Sequence, residues 1–519
     1  MTALDVLREP SAAPDPHRGV KVFADYAGEL AVGCDVVVVG SGPGGAVVAK
    51  ELAEAGRDVV LLEEGPPFGK KDFRSEAGQA LHRTLREGGA RVARGGAFIP
   101  TMQAIALGGG SLVNSAICAR APDFVFDKWA EKTNTASLTR AALDPHYDRV
   151  ERFLDVAPTD LAIQGERNLR FKRGCDALGM SSEPTWRNVK GCRGSGECMT
   201  GCRAGAKRST DVSYVPAAIR AGARVYTSVR AERVTTRGRR ATGLVGHVVE
   251  PFTGRASHAV RVEAKTVVLA AGCMQTPVIL QRSGLGARWV GAELQLHPGL
   301  AIMAVYEDAI DPWQGATQGY HSLHHLREGM KFEVLWSPPA VLAARLPGLG
   351  HDYQKHLMAY HRMAPFDVIV ACETSTGTVR AKRTGWDPDI RFELDRHDVD
   401  LLQRGLAILS DICWASGAIG ILPGLHGLPE MLTSKDEASL LRTRTLDPRD
   451  TVTAANHAFG STRMSRRAED GVVDERGRMH ELENVYITDT GIFPGSPAVN
   501  PMLTCMALAD RIALGIAQA

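Results

Sequence analysis

A chain of 519 residues with 44% hydrophobic content can bury a large core and has the length of roughly two to four domains. Its 61 basic and 59 acidic residues leave a net charge of +2, which provides no electrostatic footprint for nucleic acid. Charges interrupt every apolar segment well short of the roughly 18 residues a membrane span needs. The N-terminus MTALDVLREPSAAPDPHRG lacks the apolar core and cleavage pattern of an export signal, so a soluble cytoplasmic protein is expected.

In chain order, Pro10, Pro14 and Pro16 mark the first twenty residues of an N-terminal arm, residues 1–29, as poorly ordered. From Asp35 to Glu64 the chain reads DVVVVGSGPGGAVVAKELAEAGRDVVLLEE: an apolar strand, a glycine turn, an amphipathic helix and a second strand ending in acid. Such a unit binds a dinucleotide. Gly40 permits the tight turn, Gly42 lets the backbone approach a pyrophosphate, and Gly45 lets helix and strand pack closely, leaving free amides for the phosphates. Glu63, at the end of the second strand, is placed to accept hydrogen bonds from a ribose diol.

Seven of the ten cysteines sit mostly among apolar neighbours and read as small core residues. Cys192, Cys198 and Cys202 differ: they share a glycine-rich loop, GCRGSGECMTGCRAGAKRST. Three thiolates brought together need a positive centre, which an iron-sulfur cluster or a metal supplies; incidental thiols or a single disulfide would equally fit the loop. Arg224 to Val249 has the β-branched alternation of a hairpin turning at Arg237–Arg240, a small antiparallel addition to the nucleotide unit. Arg261 to Gly286 reads as a further strand of the first sheet followed by a helix ending at Gly284. From about 301 to 447 the pattern is mixed, with Trp313, Tyr320, Phe332, Trp336, Phe366, Trp386 and Trp414, and apolar runs such as Pro338 to Leu349. Such residues suit either a pocket for an apolar ligand or an ordinary core.

Four segments together carry a family resemblance: the nucleotide unit; LGGGSLVN at Leu107–Asn114; VVLAAGCMQTPVIL with the following LQLHPG; and HAFGSTRM with VYITDTGIFPGSPAVNPMLTCMALADRIA. They resemble the glucose-methanol-choline (GMC) family of flavin oxidoreductases, in the family's order and over nearly the full chain. The resemblance implies an α/β fold: a Rossmann-like FAD domain, discontinuous over 30–119, 204–300 and 448–519. An α+β substrate domain on an antiparallel sheet, over 120–203 and 301–447, carries the cysteine loop. It implies FAD contacts from Gly108, Gly109, Gly110, Ser111, Asn114, Asp489, Thr490, Pro501 and Met502. Val113 stands where some relatives carry a histidine that attaches the flavin, so non-covalent FAD is expected.

His457 and Asn500 match the family's catalytic pair. Alcohol oxidation needs a neutral group to take the hydroxyl proton, which imidazole suits, and a donor to hold the oxygen, which an amide suits. Pro501 suits the first position of a helix whose N-terminus would favour a reduced, anionic flavin. A subset of the family binds a 3Fe-4S cluster through three cysteines at the same point in the chain, resembling Cys192, Cys198 and Cys202; Arg193 departs from that subset's pattern. The implied activity is oxidation of an alcohol, in preference a hydrophobic one, to aldehyde or ketone, with oxygen or an external carrier as electron acceptor. Alternatives from other classes are an FAD-containing lyase of the same fold and an electron-transfer flavoprotein component.

Overall fold

The valine run of the nucleotide unit forms β1 (Leu30–Val39), followed by α1 (Pro43–Glu54) and β2 (Val59–Leu62). In this computed structural model, which describes residues 15–518 except 136, 287, 337 and 452, four later strands, two of them a hairpin, extend the sheet. They are β3 (Arg224–Tyr226), β4 (Val229–Arg237), β5 (Arg240–Val249) and β6 (Ala256–Leu269). The order is β3-β2-β1-β6-β5-β4, parallel from β3 to β6 and antiparallel beyond. Val36–Val39 and Val59–Leu62 are buried on both faces, which is why they read as unbroken apolar runs. β6 also pairs in parallel with Val485–Ile487, so the C-terminal segment returns to the centre of the sheet. From there α2 (Thr276–Arg282) follows β6, and the helix Met502–Gln518 packs on α1.

The second sheet comprises β7 (Gly299–Val305), β8 (Tyr320–Ser322), β9 (Met330–Val334), β10 (Met363–Val370) and β11 (Gly420–Leu422). Its order is β11-β7-β10-β9-β8, with Glu183–Pro184 beyond β8, and every pair is antiparallel. Side chains alternate across it. Ile302, Phe332, Phe366 and Val368 face the helix Arg396–Ala415 in one core, whereas Met303, Glu333, Asp367 and Ile369 face a cavity.

Three expectations change. The first twenty residues of the proline-rich arm were expected to be poorly ordered; residues 1–14 lie outside the described residues, but Val20–Lys21 pairs in parallel with β3. Thr227 N and Oγ1 both bond Lys21 O, at 2.9 and 2.7 Å, and hold it there. Helices Asp123–Thr133 and Arg140–Phe153 fall in the stretch assigned to the substrate domain. Instead Phe126, Trp129, Leu143 and Tyr147 join the first sheet's core, so residue 120 is not a packing boundary. Among the aromatic residues read as pocket candidates, Tyr320, Phe332 and Phe366 point into the second core, because the strand period turns them to the helix side. Trp336 and Trp386 do line the cavity.

Candidate active site

A cavity of about 1000 Å³ runs between the two sheets. Its nucleotide end is lined by Gly40, Gly42, Glu63, Gly109, Gly110, Asn114, Asp489 and Thr490, which the sequence assigned to cofactor contact. Gly42 is the N-cap of α1, so the free amides of that helix open onto the cavity. A Cβ on Gly109, at φ 51°, would lie 2.7 Å from Gly42 Cα: the two glycine loops touch, and the contact requires glycine at 109. Gly45 works as read, since a Cβ there would meet Gly40 O at 1.9 Å. Gly45, Gly108 and Ser111 do not line the cavity. Ser111 Oγ donates to Gly108 O at 2.7 Å and accepts from Thr210 N at 3.0 Å, so it braces the loop from behind.

The two acids at this end are held by protein. Glu63 Oε2 accepts from Ser41 N and Oγ at 2.9 and 2.6 Å, and its Oε1 from Gly65 N at 2.9 Å. Burial pushes its carboxyl up, and those hydrogen bonds oppose the shift. Asp489 Oδ1 accepts from Gly491 N at 2.8 Å; its Oδ2 accepts from Gly272 N at 3.0 Å and Thr276 Oγ1 at 2.5 Å. Asp489 therefore fixes the cavity wall at Gly272. Asn114 Nδ2 reaches Met502 Sδ at 3.0 Å and its Oδ1 accepts from Ala116 N, which joins the glycine loop to the start of the C-terminal helix. Pro501 O accepts from Cys505 N at 2.9 Å, and Pro501 and Met502 both line the cavity, so this helix also presents its N-terminus there.

His457 and Asn500 meet where the two halves of the cavity join, with Asn500 Nδ2 3.4 Å from His457 Nε2. A short ladder, Gln295–Leu296 against Ala458–Phe459, sets His297 beside His457. Their Nδ1 atoms are 3.2 Å apart, and His297 Nε2 lies 2.7 Å from Ser496 Oγ. Burial holds His297 well below the usual imidazole range, with the neighbouring His457 and Lys331 adding to it. Burial also lowers His457 to about 4; Glu333 opposes and Lys331 reinforces the shift. Both rings are therefore neutral near pH 7. One assignment satisfies the chain: His457 Nδ1–H donates to His297 Nδ1, and His297 Nε2–H to Ser496, which leaves His457 Nε2 as a free base facing Asn500.

Behind Asn500 stands a buried polar group that the sequence reading passed over. Lys331 Nζ donates to Asn500 Oδ1 and to Glu333 Oε1, and Glu333 Oε2 accepts from Gln318 Nε2 at 2.8 Å. Lys331 and Glu333 are almost wholly buried. Asp367 faces Glu333 across β9 and β10; burial and the neighbouring carboxylate push its carboxyl well up. The signal was available in MKFEV, where two charges alternate with apolar residues in a strand. LQLHPG likewise carried His297 without marking it. This end also has an aliphatic wall, Met303, Leu342, Leu346, Ile369, Leu422 and Leu425, with Trp336, Arg345, His426 and Glu430 beside it.

Cys192, Cys198 and Cys202 line one small cavity of about 10 Å³ with Arg187 and Lys207. Arg187 Nη2 donates to Cys198 Sγ at 3.0 Å and the same guanidinium also reaches Cys192. Burial would raise the Cys198 thiol, but Arg187 and Lys207 together bring it below its ordinary value. Lys207 Nζ also donates to the carbonyls of Leu112, Asn114 and Cys198, tying the cysteine loop to the second glycine loop. Met199, next to Cys198, lines the large cavity. Arg187 and Lys207 supply the positive charge beside these thiols, and the space they share is too small to hold a cluster without Arg187 and the loop moving. Among the described residues, no three His, Cys, Asp or Glu side chains close on a single metal ion. All ten cysteines are free thiols. No helix among the described residues is long and apolar enough to cross a membrane.

A dinucleotide cleft that converges on a neutral histidine, an amide donor and a second, mostly aliphatic wall defines an oxidoreductase of the flavin-dependent, alcohol-oxidising class. The N-terminal GMC oxidoreductase model matches residues 81–299 and the C-terminal one residues 373–509, while an NAD(P)-binding Rossmann-like model matches 38–97. A GMC-type oxidoreductase of Mycobacterium tuberculosis is 33% identical over 97% of this chain and 78% of its own length. A long-chain-alcohol oxidase of Arabidopsis thaliana is 29% identical over 95% and 68%. The chain belongs to the GMC oxidoreductase family, and is an FAD-dependent oxidoreductase acting on CH–OH donors. Pyridoxine 4-oxidase from Mesorbium loti shares the fold, with a TM-score of 0.71 at 18% identity over 94% of this chain and 99% of that one. Formate oxidase of Aspergillus oryzae does so with a TM-score of 0.72 at 14% identity over 94% and 98%.

Proposed function

We propose that the protein oxidises a hydrophobic alcohol to the aldehyde or ketone, with His457 as base and Asn500 as the donor to the alcohol oxygen. Bound FAD, held without a covalent link, supplies the acceptor for the hydride. His457 Nε2 takes the hydroxyl proton, and His297 and Ser496 keep that nitrogen unprotonated beforehand. Asn500 Nδ2 donates to the oxygen as negative charge develops on it. The balance is one hydride lost from carbon and one proton from oxygen. The observation that carries this reading is the convergence of His457 Nε2 and Asn500 Nδ2, 3.4 Å apart, on the cavity that the glycine loops also line.

The hydrophobic preference is supported by the wall of Met303, Leu342, Leu346, Ile369 and Leu422, where an alkyl chain leaves water at a gain of about 0.8 kcal/mol per methylene. The alcohol-oxidase relatives in Arabidopsis thaliana agree with it. The contacts of Gly40, Gly42, Glu63, Gly109, Gly110, Asn114, Thr490, Pro501 and Met502 belong to the same reading, as does a division into FAD and substrate domains in which the helices Asp123–Thr133 and Arg140–Phe153 go with the first. Anaerobic titration of the FAD-loaded protein with long-chain, aromatic, sterol and sugar alcohols tests it. Bleaching of the flavin bands by a long-chain or sterol alcohol is expected; bleaching by sugars alone, or by none, would refute it.

For the cysteine loop, the reading is a 3Fe-4S cluster held by Cys192, Cys198 and Cys202, which would supply a one-electron exit from the flavin to an external carrier. Its support is the common cavity of the three thiols, the two buried cations that offset their charge, and the Lys207 tie to the flavin loop. Iron and sulfide analysis of the purified protein decides it: iron lost on Cys198→Ser is expected, and no iron in the parent protein rules the cluster out.

A further inference from the structure

We propose that Lys331 and Glu333 are positioning residues that fix the amide of Asn500 with its nitrogen toward the reacting oxygen, an assignment that rests on the reading of Asn500 given above. An ammonium has donors and no acceptor, so the amide atom facing Lys331 Nζ must be Oδ1. That fixes Nδ2 on the opposite side, toward His457 Nε2 and the cavity. A free amide could turn by half a rotation and present its oxygen to a developing alkoxide, which would repel it. The pinning therefore decides whether Asn500 helps or hinders.

The strand builds the device. Lys331 and Glu333 are two residues apart on β9, hence on one face, while Phe332 between them enters the core. Glu333 holds the ammonium by Oε1 and is itself held by Gln318 through Oε2, and Lys331 turns another of its three N–H donors to Asn500 Oδ1. Buried ion pairs are weak contributors to stability, since desolvation offsets their attraction. This pair lies against the amide of the reacting site, where the orientation it imposes has a chemical use. Burial and the neighbouring Glu333 carboxylate push the Asp367 carboxyl well above the usual carboxylate range, which favours Glu333 as the partner of the ammonium.

The test uses the FAD-loaded protein and 1-dodecanol in anaerobic stopped flow. Lys331→Met alone leaves Glu333 unpaired, so the informative variant is Lys331→Met with Glu333→Gln. The rate constant for flavin reduction is expected to fall about 100-fold, with the dissociation constant of the alcohol changed less than about threefold. In an Asn500→Ala background the same two substitutions should change the rate less than about threefold, because the group they orient is gone. Parent-like reduction, or losses that multiply across the two backgrounds, would overturn the assignment. A crystal structure of the FAD-loaded double variant reads the same point without turnover. Asn500 turned or displaced supports the assignment, and Asn500 keeping its parent position and partners overturns it. If dodecanol fails to reduce even the parent protein, the alcohol reading falls and the crystal structure alone judges Lys331.

Discussion

The two ends of the cavity are built on different principles. At the nucleotide end the working groups are backbone: amides at the N-termini of α1 and the C-terminal helix, and glycine loops that touch at Gly42 and Gly109. Side chains there, such as Ser111 and Asp489, are turned into the protein and hold the loops. At the substrate end the proposed working groups are side chains: His457 beside a short ladder, Asn500 ahead of the C-terminal helix, and Lys331 and Glu333 on β9. A backbone site tolerates little change at Gly40, Gly45 and Gly109, where an added Cβ collides with backbone. A side-chain site can be rewritten strand by strand while the sheet stays intact.

The sharpest break of that contrast is His457→Ala. It should lower the rate constant for flavin reduction by about 10³-fold while the visible spectrum of bound FAD is retained, since His457 belongs to the side-chain end. Spectral loss of FAD in this variant would show that the two ends are not separable. Gly109→Ala should do the reverse. A side chain at φ 51° is strained by about 1–2 kcal/mol, and its Cβ would meet Gly42 Cα at 2.7 Å. FAD should bind about 30-fold more weakly, measured by titration of the apoprotein, and the portion that binds should still be reduced at close to the parent rate.

The same contrast explains what was legible in the sequence. Glycines forced by backbone contact leave a spaced motif, so the Asp35–Glu64 unit could be read directly, as could the parallel apolar strands, whereas the Gly108–Gly110 loop was legible through the family resemblance. His457 and Asn500 were legible through the motifs around them. Lys331, Glu333 and Gln318 were not, because they come together only when β9 lies beside β10 and the chain returns at Asn500. The packing of Phe126, Trp129 and Tyr147 in the first core was hidden for a similar reason: a helix shows which face is apolar but not which sheet will cover it.

A pH profile sharpens the chemistry of the side-chain end. His457 must be neutral to accept a proton, and burial has lowered its pKa from 6.5 to about 4, so the base is available throughout the range above that value. The rate constant for flavin reduction should be level from about pH 5.5 to 7.5 and fall by about tenfold per unit below about pH 4. An acidic limb near the ordinary imidazole value would mean that His457 is solvated in the working complex. The same depression predicts that the site is stabilised at neutral pH and loses that contribution as pH falls below 6.5, because the unfolded chain then binds the proton more readily.

The smallest effect should come from the aliphatic wall. Leu342 is almost fully buried, in a small cluster with Met303, Leu346 and Leu422 that forms part of the cavity surface. Leu342→Ala removes methyl groups from that surface without touching His457, Asn500 or the glycine loops. The loss should therefore appear in binding of the alkyl chain and not in the chemical step. The dissociation constant for 1-dodecanol should rise about fivefold and that for ethanol less than about twofold, with the limiting rate of flavin reduction unchanged. A fall in the limiting rate for both alcohols would show that the wall also orients the hydroxyl, and that the substrate end is coupled to the reacting pair through packing as well as through Lys331.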